Sequence, residues 1–246
     1  MNIGIIGAGN IGGTLARKFF SLGHRVAVSN TRGPASLAAF AANNGIIPVE
    51  LRQVVRDKEV VVIAIPEDGV MRLPKDLFAG VSGTIVVDAG NYYPEVRDVS
   101  IAAIENGMPE SEWVAECLDI PIVKAFNSIT VWSLANRGLP AGTPGRIALP
   151  VAGDDARDKE TILGLIHGLG FDGLDAGSLS ESWRQQPGSP AYCRDLDLAG
   201  LIAALGMAEH GRMGEYRRNA VAGAAQAVAA AGSLAAAMAS AGKPAE

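Results

Sequence analysis

The sequence predicts an α/β chain built on a doubly wound parallel sheet, with a smaller α-helical region toward its C-terminal end. Three observations predict it. Runs rich in valine and isoleucine at residues 3–6, 26–28, 60–65 and 85–87 are continuous rather than alternating, as strands covered by helices on both faces must be. Helical patterns separate the early runs. Thirty glycines and thirteen prolines supply tight turns between many short elements. With 246 residues, 48% apolar and 19% charged, the chain can bury a full core, which excludes a disordered polymer.

Taken in order, the first run leads into a helix on which Ile11, Leu15, Phe19 and Leu22 share one face at spacings of four and three. Residues 36–43 form an alanine-rich second helix, with Gly45 as its stop. Residues 122–126 and 147–151 read as two further strands. Pro150 lacks a backbone donor, which puts the second of these at an edge. A helix over 155–167 follows, closed by Gly168 or Gly170, with Ile162, Leu165, Ile166 and Leu169 in one stripe. At residue 178 the character changes to a proline-containing loop and then to helices dominated by alanine and leucine. We therefore divide the chain into 1–178 and 179–246. Residues 219–242 are the most membrane-like stretch, but alanine supplies most of that apolarity, so they read as a soluble, closely packed helix.

Charge and cysteine usage narrow the partners. Twenty-one basic against 26 acidic residues give a net charge of -5, so no broad basic face is expected for nucleic acid. Cys117 and Cys193 are too few to staple the chain and lack the paired spacing of a zinc site, so they read as free thiols in a reducing compartment, and no metal is expected. His24, His167 and His210 have no metal-like partner. The apolar pattern begins at Ile3 without a basic segment and cleavable apolar stretch before it, so a cytoplasmic chain is expected.

The most informative segment is Gly7-Ala8-Gly9-Asn10-Ile11-Gly12. It fits G-x-G-x-x-G and sits between the first strand and the first helix, the context of a Rossmann-type dinucleotide loop. The first glycine permits the turn, the second lets backbone approach a pyrophosphate, and the third lets helix and sheet meet. Free N–H groups at the helix start supply the anion site. An acidic residue about 20 positions further on would hold the ribose hydroxyls of NAD. Here that segment is Ser29-Asn30-Thr31-Arg32, with hydroxyl, amide and guanidinium groups and no acid, which suits an additional 2′-phosphate and predicts NADP(H) over NAD.

Ligands of such sheets lie beyond the carboxyl ends of the strands. Ile65 and Pro66 are positioned to lie beside a nicotinamide ring, and Asn91 and Asn127 to bind its ribose or amide. Asp88 and Asn91 either cap the next turn or touch ligand. Lys124 interrupts an apolar strand, and we read it as a strand-end lysine reaching solvent rather than a catalytic ammonium. Hydride transfer belongs to the nicotinamide itself, so no acid or base is obligatory and no catalytic residue is assigned. Trp132, Trp183, Tyr92 and Tyr192 read as domain-junction packing.

The glycine loop, the Ser29–Arg32 segment, the strand end Val123-Lys124-Ala125-Phe126-Asn127 and the turn Asp175-Ala176-Gly177 together resemble the F420-dependent NADP reductase family over residues 1–180. The resemblance implies a Rossmann domain for NADP and a cleft beside a smaller C-terminal region for a deazaflavin coenzyme, F420, with direct hydride passage and homodimers. It implies phosphate contacts at Ala8, Gly9, Asn10 and Ile11, a 2′-phosphate site at Asn30, Thr31 and Arg32, and nicotinamide contacts at Ile65 and Pro66. Two features depart from the family: Glu67 stands where an aromatic residue often follows the proline, and the alanine-rich region matches poorly. The expected function is an NADPH-dependent oxidoreductase acting on a deazaflavin or flavin-like acceptor. Two alternatives remain: a reductase of a small imine or ketone, and a non-catalytic NADP redox sensor. The helices over 196–239 are expected to close the cleft or to form a homodimer interface.

Overall fold

A computed structural model of the chain describes residues 1–243. Its strands are β1 (Asn2–Ile6), β2 (Arg25–Ser29), β3 (Ile47–Pro48), β4 (Val60–Ile63), β5 (Ile85–Asp88), β6 (Val123–Lys124), β7 (Ala148–Val151) and β8 (Asp172–Asp175). The helices of the first half are α1 (Asn10–Ser21), α2 (Ala38–Ala42), α3 (Leu51–Val54), α4 (Glu67–Val70), α5 (Ala102–Glu105) and α6 (Glu110–Leu118). Those of the second are α7 (Val131–Asn136), α8 (Ala156–Gly168), α9 (Leu198–Met207), α10 (Met213–Ala231) and α11 (Leu234–Ser240). Strands β3-β2-β1-β4-β5-β6 form one parallel sheet in that order, the Rossmann arrangement.

The continuous apolar runs are explained by two cores. Ile3, Ile5, Val60 and Val62 pack on one face with Leu15 and Phe19 of α1 and Ile162 and Ile166 of α8. Ile6, Val61 and Ile63 pack on the other with Ile104, Trp113, Val114 and Leu118. Alternate residues of one strand therefore enter different cores, and neither face can be polar. The expected stripe on α8 is buried as drawn, and Asp155 caps that helix by accepting from Arg157 and Asp158 N–H groups.

Four expectations change. Residues 122–126 form only a two-residue strand, because the chain turns at Phe126, whose φ of 64° is left-handed. Residues 147–151 do not join the large sheet. They pair in parallel with β8, a strand the sequence hides because it has one apolar residue in four. Pro150 does face an edge: Ile147 and Val151 carbonyls accept from Asp172 and Ala176, whereas the Pro150 carbonyl turns to the Gln185 side chain. Leu22 lies past the end of α1 and is exposed. The helix expected over 219–242 is split by Gly232, in the left-handed region at φ 80°, after which Ser233 caps α11. Most of α10 beyond Arg217 is exposed rather than closely packed. The last three residues of the region assigned to 179–246 lie outside the described residues. Among the described residues no helix is long and apolar enough to cross a membrane.

Phe171→Ala, at a fully buried position, is expected to cost about 3–5 kcal/mol of stability. Val99→Ala, at an exposed one, is expected to stay within about 0.5 kcal/mol. Urea unfolding midpoints at unchanged slope check both.

Candidate functional site

At the carboxyl ends of β1, β2 and β4 lies a cleft of about 520 Å³, lined by Gly7, Ala8 and Gly9, by Ser29 to Arg32, by Ala64 to Pro66, and by Leu51, Gly69, Arg72 and Leu73. The three loop glycines have three separate causes. Gly7 adopts φ 106°, and a Cβ there would lie 2.4 Å from the Ala64 carbonyl oxygen. A Cβ on Gly12 would lie 2.0 Å from the Gly7 carbonyl oxygen and 3.0 Å from Ala64 Cβ, so helix and sheet meet only through glycine. Gly9 is different. Its φ of -75° suits any residue and a Cβ would meet nothing within 4 Å, so nothing in the protein itself requires glycine there. Gly9 also begins α1 with no side-chain cap and no acid in the first turn, which leaves the first N–H groups free for an anion.

The β2 loop is held by Asn30. Its Oδ1 accepts from the Arg32 N–H at 3.0 Å and its Nδ2 donates to Ser36 Oγ at 3.0 Å. Arg32 is exposed, and among the described residues it has no carboxylate partner. Ser29 Oγ is buried and has no hydrogen-bond partner among the described residues, so a hydroxyl lining the cleft stands ready for one.

Of the loop positions singled out in the sequence, Ile11 and Gly12 turn into helix packing, and Asn10 Nδ2 donates to the Ala235 carbonyl of α11 at 2.8 Å. Asn91 and Asn127 do not line the cleft. Asn91 donates to the Asn127 carbonyl at 3.0 Å, Asn127 donates to Asn91 Oδ1 at 3.1 Å and to the Gln185 carbonyl at 2.8 Å, and both are buried. Sequence reasoning missed Arg72, Leu51 and Leu73. Arg72 pairs with Asp68 one helical turn earlier, a spacing that was legible but sits in an element too short to be seen as a helix.

Lys124 corrects an expectation: it is wholly buried instead of reaching solvent. The parallel register sets Asp88 beside it, and its ammonium donates to Asp88 Oδ2 at 2.9 Å and to the Gly90 carbonyl at 2.7 Å. Burial alone pulls its pKa down, but Asp88, Glu110 and Glu67 outweigh that and hold it above the ordinary value. Asp88 both caps its turn, through Gly90 N–H, and accepts from Ser111. Glu110 accepts from Tyr92 N–H and Gln186, and burial pushes its pKa up to about 7. Tyr92 is fully buried in the second core, Trp183 packs edge-on to His210 within the C-terminal region, and the Tyr192 hydroxyl bonds the Tyr93 hydroxyl at 2.7 Å. Trp132 lies on α7. Cys117 and Cys193 are free, and burial pushes the Cys193 thiol up to about 12.

Residues 2–92 match the family described as NADP oxidoreductase, coenzyme F420-dependent. A hypothetical protein, SMa0349 from Sinorhizobium meliloti, is 32% identical, with 78% of this chain and 93% of that chain covered at a TM-score of 0.65. The chain belongs to the F420-dependent NADP oxidoreductase family. A "putative f420 dependent nadp-reductase" from Arthrobacter sp. FB24 shares the fold at 24% identity, covering 74% of this chain and 87% of that one, with a TM-score of 0.61. YjhV of Escherichia coli (strain K12) is 42% identical over 73 residues, 30% of this chain, and the match spans about half, 53%, of that curated relative. The family is one described as NADP oxidoreductases.

Because Glu110 keeps its proton to about pH 7 when folded but releases it in the ordinary carboxylate range when unfolded, the folded chain binds more protons between those values and its stability falls as pH rises through them. The expected loss between about pH 5 and about pH 8 is on the order of 3 kcal/mol greater for the wild type than for Glu110→Gln. Denaturant unfolding of both at the two pH values measures it.

Proposed function

We propose that the chain transfers hydride between NADP(H) and a deazaflavin, F420, or flavin-like acceptor, with the dinucleotide laid across the carboxyl ends of β1, β2 and β4. The observation that carries this reading is the charge of the cleft: its lining contains no carboxylate, and of its two guanidiniums Arg72 is paired with Asp68, whereas Arg32 has no carboxylate partner among the described residues. A ribose carrying only hydroxyls has no use for an unpaired guanidinium, whereas a 2′-phosphate accepts charge-assisted bonds from it.

The empty space at Gly9 and the uncapped start of α1 fit a pyrophosphate, met by backbone N–H groups of Asn10 and Ile11 with Ala8 and Gly9 flanking it. Gly7 and Gly12 shape that turn. Ser29 Oγ, Asn30 and Thr31 would hold the adenosine ribose and its phosphate beside Arg32. Leu51 and Leu73 supply an apolar wall. Ile65 and Pro66 would support the nicotinamide, which supplies the hydride chemistry when bound. Asn91 and Asn127 stand behind this end, where their mutual hydrogen bonds brace the loops that carry it. The family supports F420 as the acceptor, and we place the chain in the cytoplasm as a homodimer. In this reading residues 1–178 bind the dinucleotide, and the helices from 179 onward border the acceptor space and carry exposed Leu198 and Ile202, one turn apart on α9, toward a second copy.

Arg32→Glu is expected to lower the preference for NADPH over NADH by roughly 10- to 100-fold, the scale of one or two charge-assisted bonds. An unchanged ratio by calorimetry contradicts the assignment. Gly9→Val is expected to abolish binding of both nucleotides while leaving the thermal midpoint within a few degrees, since a Cβ there meets no protein atom within 4 Å.

A further inference from the structure

An enclosure of charge beneath Pro66 has no part in holding the dinucleotide. Glu67 follows Pro66 directly and is 1% exposed. Its Oε2 accepts from Arg97 at 3.0 Å, while Oε1 is buried without a hydrogen-bond partner among the described residues and lies so close to Gly90 that a Cβ there would approach it to 2.7 Å. Around it stand Asp88, Asp98 and Glu110, and the cations Lys124 and Arg97. Lys124 pairs with Asp88, and Arg97 is shared between Asp98 at 2.8 Å and Glu67. Arg217, whose charge also acts on Glu110, is paired with Glu105.

Four carboxyl groups thus face two available cations. Fully ionised, the enclosure would hold two uncompensated negative charges away from water, which is prohibitively costly, so the cluster retains protons. Glu67 has the geometry of a holder: one oxygen is on Arg97 and the other accepts nothing. Burial, followed by the neighbouring Glu110, keeps it protonated well above the ordinary carboxylate range.

We infer that Glu67 is a proton site coupled to the charge of the nicotinamide, a neutral acid beside the reduced ring and a carboxylate beside the oxidised one. The inference rests on the dinucleotide reading given above. An oxidised nicotinamide is a cation and a reduced one is neutral, so only the former favours ionisation of a carboxyl behind Pro66. When the C4–H bond of NADPH breaks and the hydride leaves with its electron pair for the acceptor, the ring gains one positive charge. The O–H bond of Glu67 then breaks toward its oxygen, and the proton that leaves matches the one a reduced acceptor takes up with each hydride. Exchange of NADP+ for NADPH reloads the site from solvent. Glu67 positions charge and proton in this account and is not assigned a direct contact with substrate.

Calorimetry of NADP+ and NADPH binding to the full chain, in two buffers of different ionisation enthalpy near neutral pH, tests this without turnover. The 2′-phosphate is common to both nucleotides and cancels. NADP+ is expected to release close to one proton more than NADPH, and its affinity to rise by up to about tenfold per pH unit while that of NADPH does not. Glu67→Gln is expected to abolish the difference while still binding NADPH. Equal proton release by the two nucleotides, or a difference that survives Glu67→Gln, overturns the inference. Infrared difference spectra with 13C-labelled glutamate give a second readout that leaves Glu67 in place: a protonated carboxyl band lost with NADP+ in the wild type and also in Glu110→Gln supports the inference, and a band that is unchanged, or whose loss disappears in Glu110→Gln, overturns it. Failure of both nucleotides to bind refutes the dinucleotide reading itself, whereas binding of both with equal release refutes only the role of Glu67.

Discussion

One close approach governs the site. At Gly7, Gly12 and Ala64 the end of β1, the start of α1 and the end of β4 come so near that no side chain larger than hydrogen fits at either glycine. This contact seats α1 against the sheet with its N-terminus pointing along the edge where β2 and β4 also end. The free N–H groups, the β2 loop and the Ile65–Pro66 turn therefore border a single cleft. A side chain on Gly12 would push the helix away and separate the anion site from the residues that give it selectivity.

Two electrostatic regimes lie within a few residues of each other. The cleft is open and cationic, and Arg32 is available because Asn30 fixes the loop while no acid competes for the guanidinium. Beneath Pro66 the surroundings are closed and acid-rich, and low polarisability makes each added charge expensive. The same sheet edge serves both: the loop after β2 delivers Arg32 to solvent, whereas β5, β6 and the turn after β4 deliver Asp88, Lys124 and Glu67 to the interior. An anion is met outside and protons are retained inside.

How much of this was legible in the sequence follows from the range of the interactions involved. The glycine loop, the β2 segment and the four apolar strands are local signals, written in consecutive residues, and the structure brings Gly7, Ala8, Gly9, Ser29, Asn30, Thr31, Arg32, Ile65 and Pro66 to one cleft. Lys124 was misread because a lysine at a strand end normally reaches water, and only the register of β6 against β5 reveals the carboxylate beside it. Asn91 and Asn127 were read as ligand groups because nothing local shows that they satisfy each other. β8 carries too few apolar residues to announce itself, and its pairing with β7 is set by α8 between them. Glu67 was visible only as a departure from a family pattern, and its burial depends on Arg97 and Gly90, some 30 and 23 residues away, respectively.

The most direct test of the account is a crystal structure of the chain grown with NADP+. It predicts the pyrophosphate against the backbone N–H groups of Asn10 and Ile11, in the space beside Gly9, with the 2′-phosphate bonded to Arg32. A dinucleotide bound elsewhere, or one whose 2′-phosphate turns away from Arg32 into solvent, would contradict it.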